Sequence, residues 1–169
     1  MYRQGIKDFP YFLGIRSLAD IATPADRVCV LNIMGGESRQ VTPTSHAFSG
    51  GNVVFGTSPG RAGQVLKTPV GDIPVSNNVR EGLDAGHAFN TGVIYLPPSG
   101  VRDGVAELVR VNPGLEKIVI ITEKIAIHYA REIRAMAQAN GIDIIGGNCL
   151  GVADSWNRVR IGGALGGDH

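Results

Sequence analysis

The sequence predicts an α/β domain with a doubly wound, mostly parallel sheet and helices on both faces. Three observations lead to this prediction: short apolar runs recur, helix-like segments separate them, and glycine or proline follows four of the five runs. Runs that are apolar throughout are typical of strands buried on both faces of a parallel sheet. The chain of 169 residues is long enough for one such domain with its own core.

The elements are expected in alternating order. The apolar runs predict strands over residues 28–33, 52–55, 92–96, 117–121 and 142–145. Helices are expected over residues 43–50, 78–86, 100–111 and 125–140. Thr42 followed by Pro43 is typical of a helix start, so residues 35–41 are expected to form an extended loop. This βαβ alternation defines a Rossmann-like fold, in which ligands bind at the carboxyl ends of the strands.

Composition narrows the class of protein. Only 18% of residues are charged and the net charge is +1, so nothing favours a nucleic-acid partner. No apolar run approaches the ~18 residues of a membrane span. Two cysteines do not make a disulfide framework and fit a reducing cytoplasm. We expect an N-terminal extension over residues 1–26 and a single domain over residues 27–169.

The loop after the first strand is the first candidate site. Gly35 and Gly36 allow backbone N–H groups to approach a pyrophosphate at a helix terminus. The loop is not GxGxxG, because Arg39 stands where the last glycine would be, so a nicotinamide-binding domain is disfavoured. In the second loop, Arg61 offers a planar fork suited to phosphate, although a solvated loop arginine has the same sequence appearance.

Other candidates have two interpretations each. Glu123 follows the fourth strand, where a carboxylate can bind a ribose or an adenine amine, or cap the next helix. Cys149 is interpreted as a packing residue rather than a nucleophile, since no base is adjacent. Tyr95 and Trp156 are also interpreted as packing residues. The four histidines lack metal-ligand spacing, so we expect surface or capping roles for them and no metal site. No catalytic residue is expected in this chain.

Six short segments follow one another in an order that is specific when taken together. They are residues 34–39 (MGGESR), 58–63 (SPGRAG), 73–81 (IPVSNNVRE), 93–97 (VIYLP), 121–123 (ITE) and 146–151 (GGNCLG). Over residues 27–165 they resemble the N-terminal CoA-binding domain of the succinyl-CoA synthetase α-subunit family, the NDP-forming acyl-CoA synthetases. The resemblance implies that CoA or an acyl-CoA is the ligand.

The resemblance also implies roles for individual residues. The phosphates of CoA would be lined by Gly35, Gly36, Glu37 and Ser38. Arg61, in the loop with Pro59, would replace the family lysine that reaches the nucleotide phosphates. The edge of the ligand would be formed by Ile121, Thr122 and Glu123, and its pantetheine arm would lie near Asn148 and Cys149.

The chain departs from the family pattern in two loops. Glu37, Arg39 and Pro43 change the phosphate loop, and a carboxylate facing a pyrophosphate predicts a rearranged loop. After the ITE segment the family commonly has Gly-Ile-Pro, whereas this chain has Lys124-Ile125-Ala126, which allows the next helix to begin earlier.

The resemblance implies more machinery than this sequence contains. In the family, a second domain carries a phosphorylated histidine and a ligase β-subunit supplies the nucleotide site. Nothing in these 169 residues corresponds to either, and His169 is too early to be that histidine. We therefore expect a CoA-binding domain of an acid–CoA ligase that is not catalytic on its own.

Helix 125–140 suggests self-association. A core stripe at helical spacing is expected from Ala126, Ala130, Ile133 and Ala137. Ile127 falls on the polar face and Tyr129 lies near the edge of the stripe, which fits either a homo-oligomer interface or a single exposed apolar residue of the ordinary kind. The alternative function is accordingly a self-assembling, homo-oligomeric scaffold, natural or engineered, with a vestigial nucleotide site.

Overall fold

The structure, a computed structural model, describes residues 21–163. Its strands are β1 (Val28–Leu31), β2 (Val53–Thr57), β3 (Val65–Leu66), β4 (Ile73–Ser76), β5 (Thr91–Ile94), β6 (Lys117–Ile120), β7 (Asp143–Gly146), β8 (Gly151–Asp154) and β9 (Val159–Gly162). Its helices are α1 (Gly36–Phe48), α2 (Val79–Asp84), α3 (Val101–Val111) and α4 (Ile127–Asn140), with a short 3₁₀ turn over Pro98–Gly100.

Seven strands form one sheet in the order β3-β4-β2-β1-β5-β6-β7. All neighbours pair in parallel except β3, which is antiparallel to β4 at the sheet edge. The chain first winds outward from β1 through β2 to β4, and then returns to β5 on the other side of β1. The predicted doubly wound α/β class is confirmed, and its switch point lies between β1 and β5.

Alternate residues of the buried strands enter two cores. Leu31 and Ile118 belong to a core covered by α2, α3 and α4, which contribute buried residues such as Leu108 and Ile133. Val30 and Val119 belong to the opposite core, which includes Ile161 of the β8–β9 hairpin. Both faces are therefore covered, as expected for a parallel sheet with fully apolar strands.

The first helix corrects the prediction for residues 35–50. The helix α1 begins at Gly36, immediately after β1, so there is no extended loop over 35–41 and Pro43 lies inside the helix. A proline there removes the hydrogen bond to the carbonyl of Arg39 and crowds that carbonyl with its ring.

The sequence also left elements unpredicted. The strands β3 and β4 and the hairpin β8–β9 lie in segments for which the sequence predicts neither a strand nor a helix. Trp156, predicted to pack, is 94% exposed at the hairpin turn. The hairpin itself is fixed to α1, because the Ser45 hydroxyl donates to the Gly162 carbonyl at 2.7 Å and the Arg160 guanidinium lies 4.0 Å from the Phe48 ring centroid.

The predicted core stripe of α4 is half correct. Ile133 and Ala137 are buried, but Ala126 and Ala130 are exposed. Ala130 lines a groove of about 270 Å³ between α4 and the sheet edge. Ile127 is 76% exposed, as the helical spacing predicted.

The segment before β1 packs against the sheet. Ala22 is buried in the core on the α1 side. The carboxylate of Asp26 forms a buried ion pair with the Lys117 ammonium at 2.8 Å. Most of the predicted extension over residues 1–26, and His169, lie outside the described residues. Within residues 21–163, no helix has both the length and the apolar character needed to cross a membrane.

Candidate functional site

A cavity of about 390 Å³ lies where β1, β5 and β6 end, at the switch point of the sheet. Its walls are the start of α1, the segment after β5 and the segment after β6. The lining residues are Asn32, Gly35, Gly36, Glu37, Ser38, Tyr95, Leu96, Pro97, Pro98, Ile121, Thr122, Glu123 and Lys124. This is where a doubly wound sheet is expected to bind its ligand.

The first wall is the amino end of α1. Gly35 occupies the N-cap position and offers no side-chain hydrogen bond to the helix, so the N–H groups of the first turn lack a side-chain partner. A Cβ atom on Gly35 would lie 2.7 Å from the Asn32 amide nitrogen, whereas one on Gly36 would meet nothing within 4 Å. The first glycine is required by packing, and the second leaves the helix end open to the cavity.

Asn32 holds this helix end in place. It adopts a left-handed backbone conformation with φ of 63°, which is less strained for asparagine than for most residues. Its side-chain amide donates to the Tyr95 carbonyl at 3.0 Å. Its own carbonyl accepts from the Gly35 N–H at 2.9 Å and from the Ser38 hydroxyl. One residue thus fixes the ends of β1 and β5 and the start of α1 relative to each other.

The segment after β6 forms the opposite wall. The Thr122 hydroxyl donates to the Leu96 carbonyl at 2.6 Å, which ties this wall to the segment after β5. The Thr122 carbonyl in turn accepts from the Asn148 N–H at 2.9 Å. The glycines of the last loop are required here, because a Cβ on Gly146 would lie 2.3 Å from the Ile120 carbonyl oxygen.

The charges of the cavity are mixed. Glu37, Glu123 and Lys124 line it, and all three are exposed. The hydroxyl of Tyr95 is buried and has no hydrogen-bond partner among the residues that the structure describes. Burial raises the pKa of that hydroxyl well above its ordinary value, with smaller contributions from Glu37 and Cys149. Tyr95 is therefore neutral at physiological pH.

The structure brings together seven of the residues that the resemblance implied. Gly35, Gly36, Glu37, Ser38, Ile121, Thr122 and Glu123 all line the cavity. Pro59 and Arg61 are exposed on the second loop and do not line it, although the Ser58 hydroxyl of that loop accepts from the Met34 N–H at 3.1 Å. Asn148 and Cys149 do not line the cavity. Asn148 contacts its wall from outside, through the hydrogen bond from its N–H to the Thr122 carbonyl.

The geometry bears on two of the residues for which the sequence left alternative roles, Glu123 and Cys149. The N-cap of α4 is Ala126, without a side-chain hydrogen bond, so Glu123 does not cap that helix. The Cys149 thiol lies 3.4 Å from the Ile120 carbonyl oxygen and packs against the core on the α1 side. This contact matches a packing role.

Sequence reasoning missed the residues that connect the walls. Asn32 was the polar residue within an otherwise apolar run, and Pro97 and Pro98 directly follow a predicted strand, so the chain did contain a signal for them. The sequence predicts a packing role for Tyr95, and it distinguishes Lys124 only as a departure from the family pattern. Within residues 21–163, no group of three or more His, Cys, Asp or Glu side chains is placed to hold a metal ion.

Comparison with known proteins identifies relatives of this domain. Residues 30–124 match the family model described as CoA binding domain. The chain is 36% identical to the ADP-forming sulfoacetate-CoA ligase subunit SauD of Bilophila wadsworthia over 103 residues, 61% of this chain and 33% of that protein. It is 30% identical to the succinate–CoA ligase [ADP-forming] subunit alpha of Staphylococcus epidermidis (strain ATCC 35984) over 103 residues, 61% of this chain and 32% of that protein.

A solved structure supports the fold. ATP citrate lyase from Methanothrix soehngenii, in complex with citrate and coenzyme A, superposes with a TM-score of 0.66 at 17% identity, over 80% of this chain and 22% of that one. The matched part of this chain spans about a third of the length of each of the two ligase subunits described above, 33% and 32%.

Proposed function

This chain belongs to the CoA-binding domain family, and from that premise we propose that it binds CoA or an acyl-CoA in the cavity at the ends of β1, β5 and β6. The observation that carries the proposal is the open amino end of α1. Backbone N–H groups at a helix start, without a capping side chain, form an anion site that suits a diphosphate. Gly36 leaves the space in which such a group would lie.

The remaining walls fit the rest of such a ligand. Pro97, Pro98 and Ile121 offer apolar surface, and Thr122 and Glu123 place oxygen atoms at the opposite edge. Mixed apolar walls with a few polar groups are typical of small-molecule sites. We propose that Gly35, Gly36, Glu37 and Ser38 line the phosphates with their backbone, the N–H groups of the first helical turn acting as donors, and that Ile121, Thr122 and Glu123 form the edge. Pro59, Arg61, Asn148 and Cys149 would contact the ligand only where it extends beyond the cavity.

Calorimetric titration of the chain with CoA tests this proposal. We expect wild-type binding, and we expect Gly36→Glu to weaken it by at least about tenfold, or ~1.4 kcal/mol, because the new carboxylate occupies the phosphate position. The substitution should leave the fold intact, since a Cβ at Gly36 touches nothing within 4 Å. Gln40→Glu is the matched control, because Gln40 is exposed on the same helix and does not line the cavity.

Two results would contradict the proposal. Absence of binding heat with wild-type protein would remove CoA as the ligand, and a large oligomer without CoA affinity would instead favour the scaffold alternative. Equal affinities for Gly36→Glu and Gln40→Glu would show that CoA binds elsewhere on the molecule.

The wider context is also a proposal. We propose that the domain supplies the CoA site of an ADP-forming acid–CoA ligase, as the names of its relatives suggest, and that it is not catalytic alone. Acid activation would then require a ligase β-subunit and a domain with a phosphorylated histidine. A location in a reducing cytoplasm stays a prediction from the free Cys29 and Cys149.

A further inference from the structure

Lys124 has an unusual backbone conformation at the cavity wall. Its φ is 57°, in the left-handed region, which a lysine rarely adopts because of its Cβ. Residues held in this region persist where the surrounding structure or a function requires them, and they cluster at ligand sites. Glycine would occupy this position without strain, so the lysine side chain itself needs an explanation.

The charges around the cavity provide one. Among the described residues that line it, Lys124 is the one cationic residue, and the other charged residues are Glu37 and Glu123. The ion pairs formed within residues 21–163 involve Lys67, Arg102 and Lys117, and Lys124 takes part in none of them. An anionic ligand entering this cavity would therefore meet two carboxylates and one ammonium group without an anionic partner.

The second loop does not supply the missing cation. Arg61 is exposed, its loop is bonded to Asn77 through the Gly60 N–H at 2.9 Å, and it does not line the cavity. Lys124 instead follows directly after Thr122 and Glu123, in the wall opposite the amino end of α1. The amino end of α1 and Lys124 thus line the same cavity from opposite walls.

We propose that Lys124 is the phosphate-binding cation of this cavity, a proposal that rests on CoA being its ligand. The ammonium donates to phosphate oxygens and offsets the repulsion from Glu37 and Glu123. A charge-assisted hydrogen bond of this kind is among the stronger polar contacts. The ligand class is a phosphorylated nucleotide thiol, whose phosphate groups are the diphosphate and the phosphate on the ribose.

The test compares CoA affinities of Lys124→Gly and Arg61→Gly by calorimetry. We expect Lys124→Gly to weaken CoA binding about tenfold, and Arg61→Gly to weaken it by less than about threefold. Lys124→Gly relieves the left-handed strain, so its thermal midpoint should equal or exceed that of the wild type. Lys124→Gln keeps the length of the side chain and should lose affinity as Lys124→Gly does.

Salt and ligand variation separate a charge contact from a structural role. Raising the salt concentration should weaken CoA binding to the wild type more than to Lys124→Gln. Salt screens the attraction between the Lys124 ammonium and the phosphate, which the variant does not have. Dephospho-CoA, which lacks the phosphate on the ribose, shows which phosphate Lys124 contacts. Equal affinities of wild type and Lys124→Gln for dephospho-CoA would place the contact at the ribose phosphate. A persisting difference in affinity would place it at the diphosphate.

Wild-type binding with unchanged affinity in both Lys124 variants would overturn the assignment and leave the CoA site in place. A larger loss in Arg61→Gly than in Lys124→Gly would also overturn it. Absence of binding by the wild type would instead contradict the proposed function itself.

Discussion

At the scale of single residues, the site depends on side chains that no periodic pattern identifies. Asn32 joins two strand ends and a helix start through its amide and its carbonyl. Its place within an apolar run made it visible, but the partner of its side chain, the Tyr95 carbonyl just after β5, is about sixty residues further along the chain. Gly35 and Gly36 line the cavity, as the resemblance implied, but the helix begins at Gly36 rather than at the predicted Pro43.

His46 provides a prediction at the same scale. Its ring is buried and its Nδ1 accepts from the Val53 N–H at 3.0 Å. Burial lowers the pKa of His46 below its ordinary value of 6.5, so the unfolded chain takes up the proton first. Its contribution to stability is complete above about pH 6.5 and is lost as the pH falls toward the lower folded pKa, at no more than ~1.4 kcal/mol per pH unit.

Urea unfolding of wild type and His46→Asn, from about pH 7.5 to about pH 5.5, checks this expectation. Asparagine keeps an acceptor near the Val53 N–H but does not titrate, so stability of the variant should depend less on pH. Parallel pH profiles for the two proteins would contradict the account of His46.

At the scale of elements, the sequence predicted the strands β1, β2, β5, β6 and β7 and the helices α2, α3 and α4 within a few residues, because their hydrophobic spacing reflects burial directly. The start of α1 was predicted wrongly, since Thr42-Pro43 carries a local helix-start pattern that the tertiary structure overrides. The hairpin β8–β9 was missed because its stability comes from distant contacts with α1, such as the bond between Ser45 and Gly162.

Contact between α2 and β2 gives a prediction for an element pair. A Cβ on Gly82 of α2 would lie 2.0 Å from a ring carbon of the buried Phe55 in β2. Gly82→Ala should therefore lower the free energy of unfolding by about 1–3 kcal/mol, although alanine normally favours a helix. Denaturant titration measures this change.

The matched control is Gly36→Ala, whose Cβ meets nothing within 4 Å, so it should leave stability unchanged or raise it by up to about 1 kcal/mol. Phe55→Leu should recover part of the loss in the Gly82→Ala background. If Gly82→Ala stabilised the protein as much as Gly36→Ala does, the close contact between α2 and β2 would be wrong.

At the scale of the whole molecule, the sequence predicted the fold class and the edge of the sheet that carries the cavity. It did not predict which loops line that cavity. The first, third and fourth loops do so, whereas the loops with Arg61 and Asn148 lie outside. That distribution follows from the order of strands in the sheet, because β1, β5 and β6 are adjacent.

Self-association is a second whole-molecule prediction. Ile127 is 76% exposed and precedes the paired rings of His128 and Tyr129, whose centroids are 4.1 Å apart. We propose that this end of α4 forms a symmetric interface between copies of the chain. Light scattering at micromolar concentration should give a mass above that of a monomer, reduced by Ile127→Glu; a monomeric mass for the wild type would contradict the interface.

The central claim is that CoA binds at the carboxyl edge of the parallel sheet, against the amino end of α1. Backbone amide NMR of the full chain during CoA titration tests this claim most directly. We predict the largest shifts at residues 36–38, 95–96 and 121–124, with no change at the indole N–H of the exposed Trp156 in the same spectra. Absence of shifts, or shifts confined to the opposite edge near Asn90 and Lys117, would contradict it.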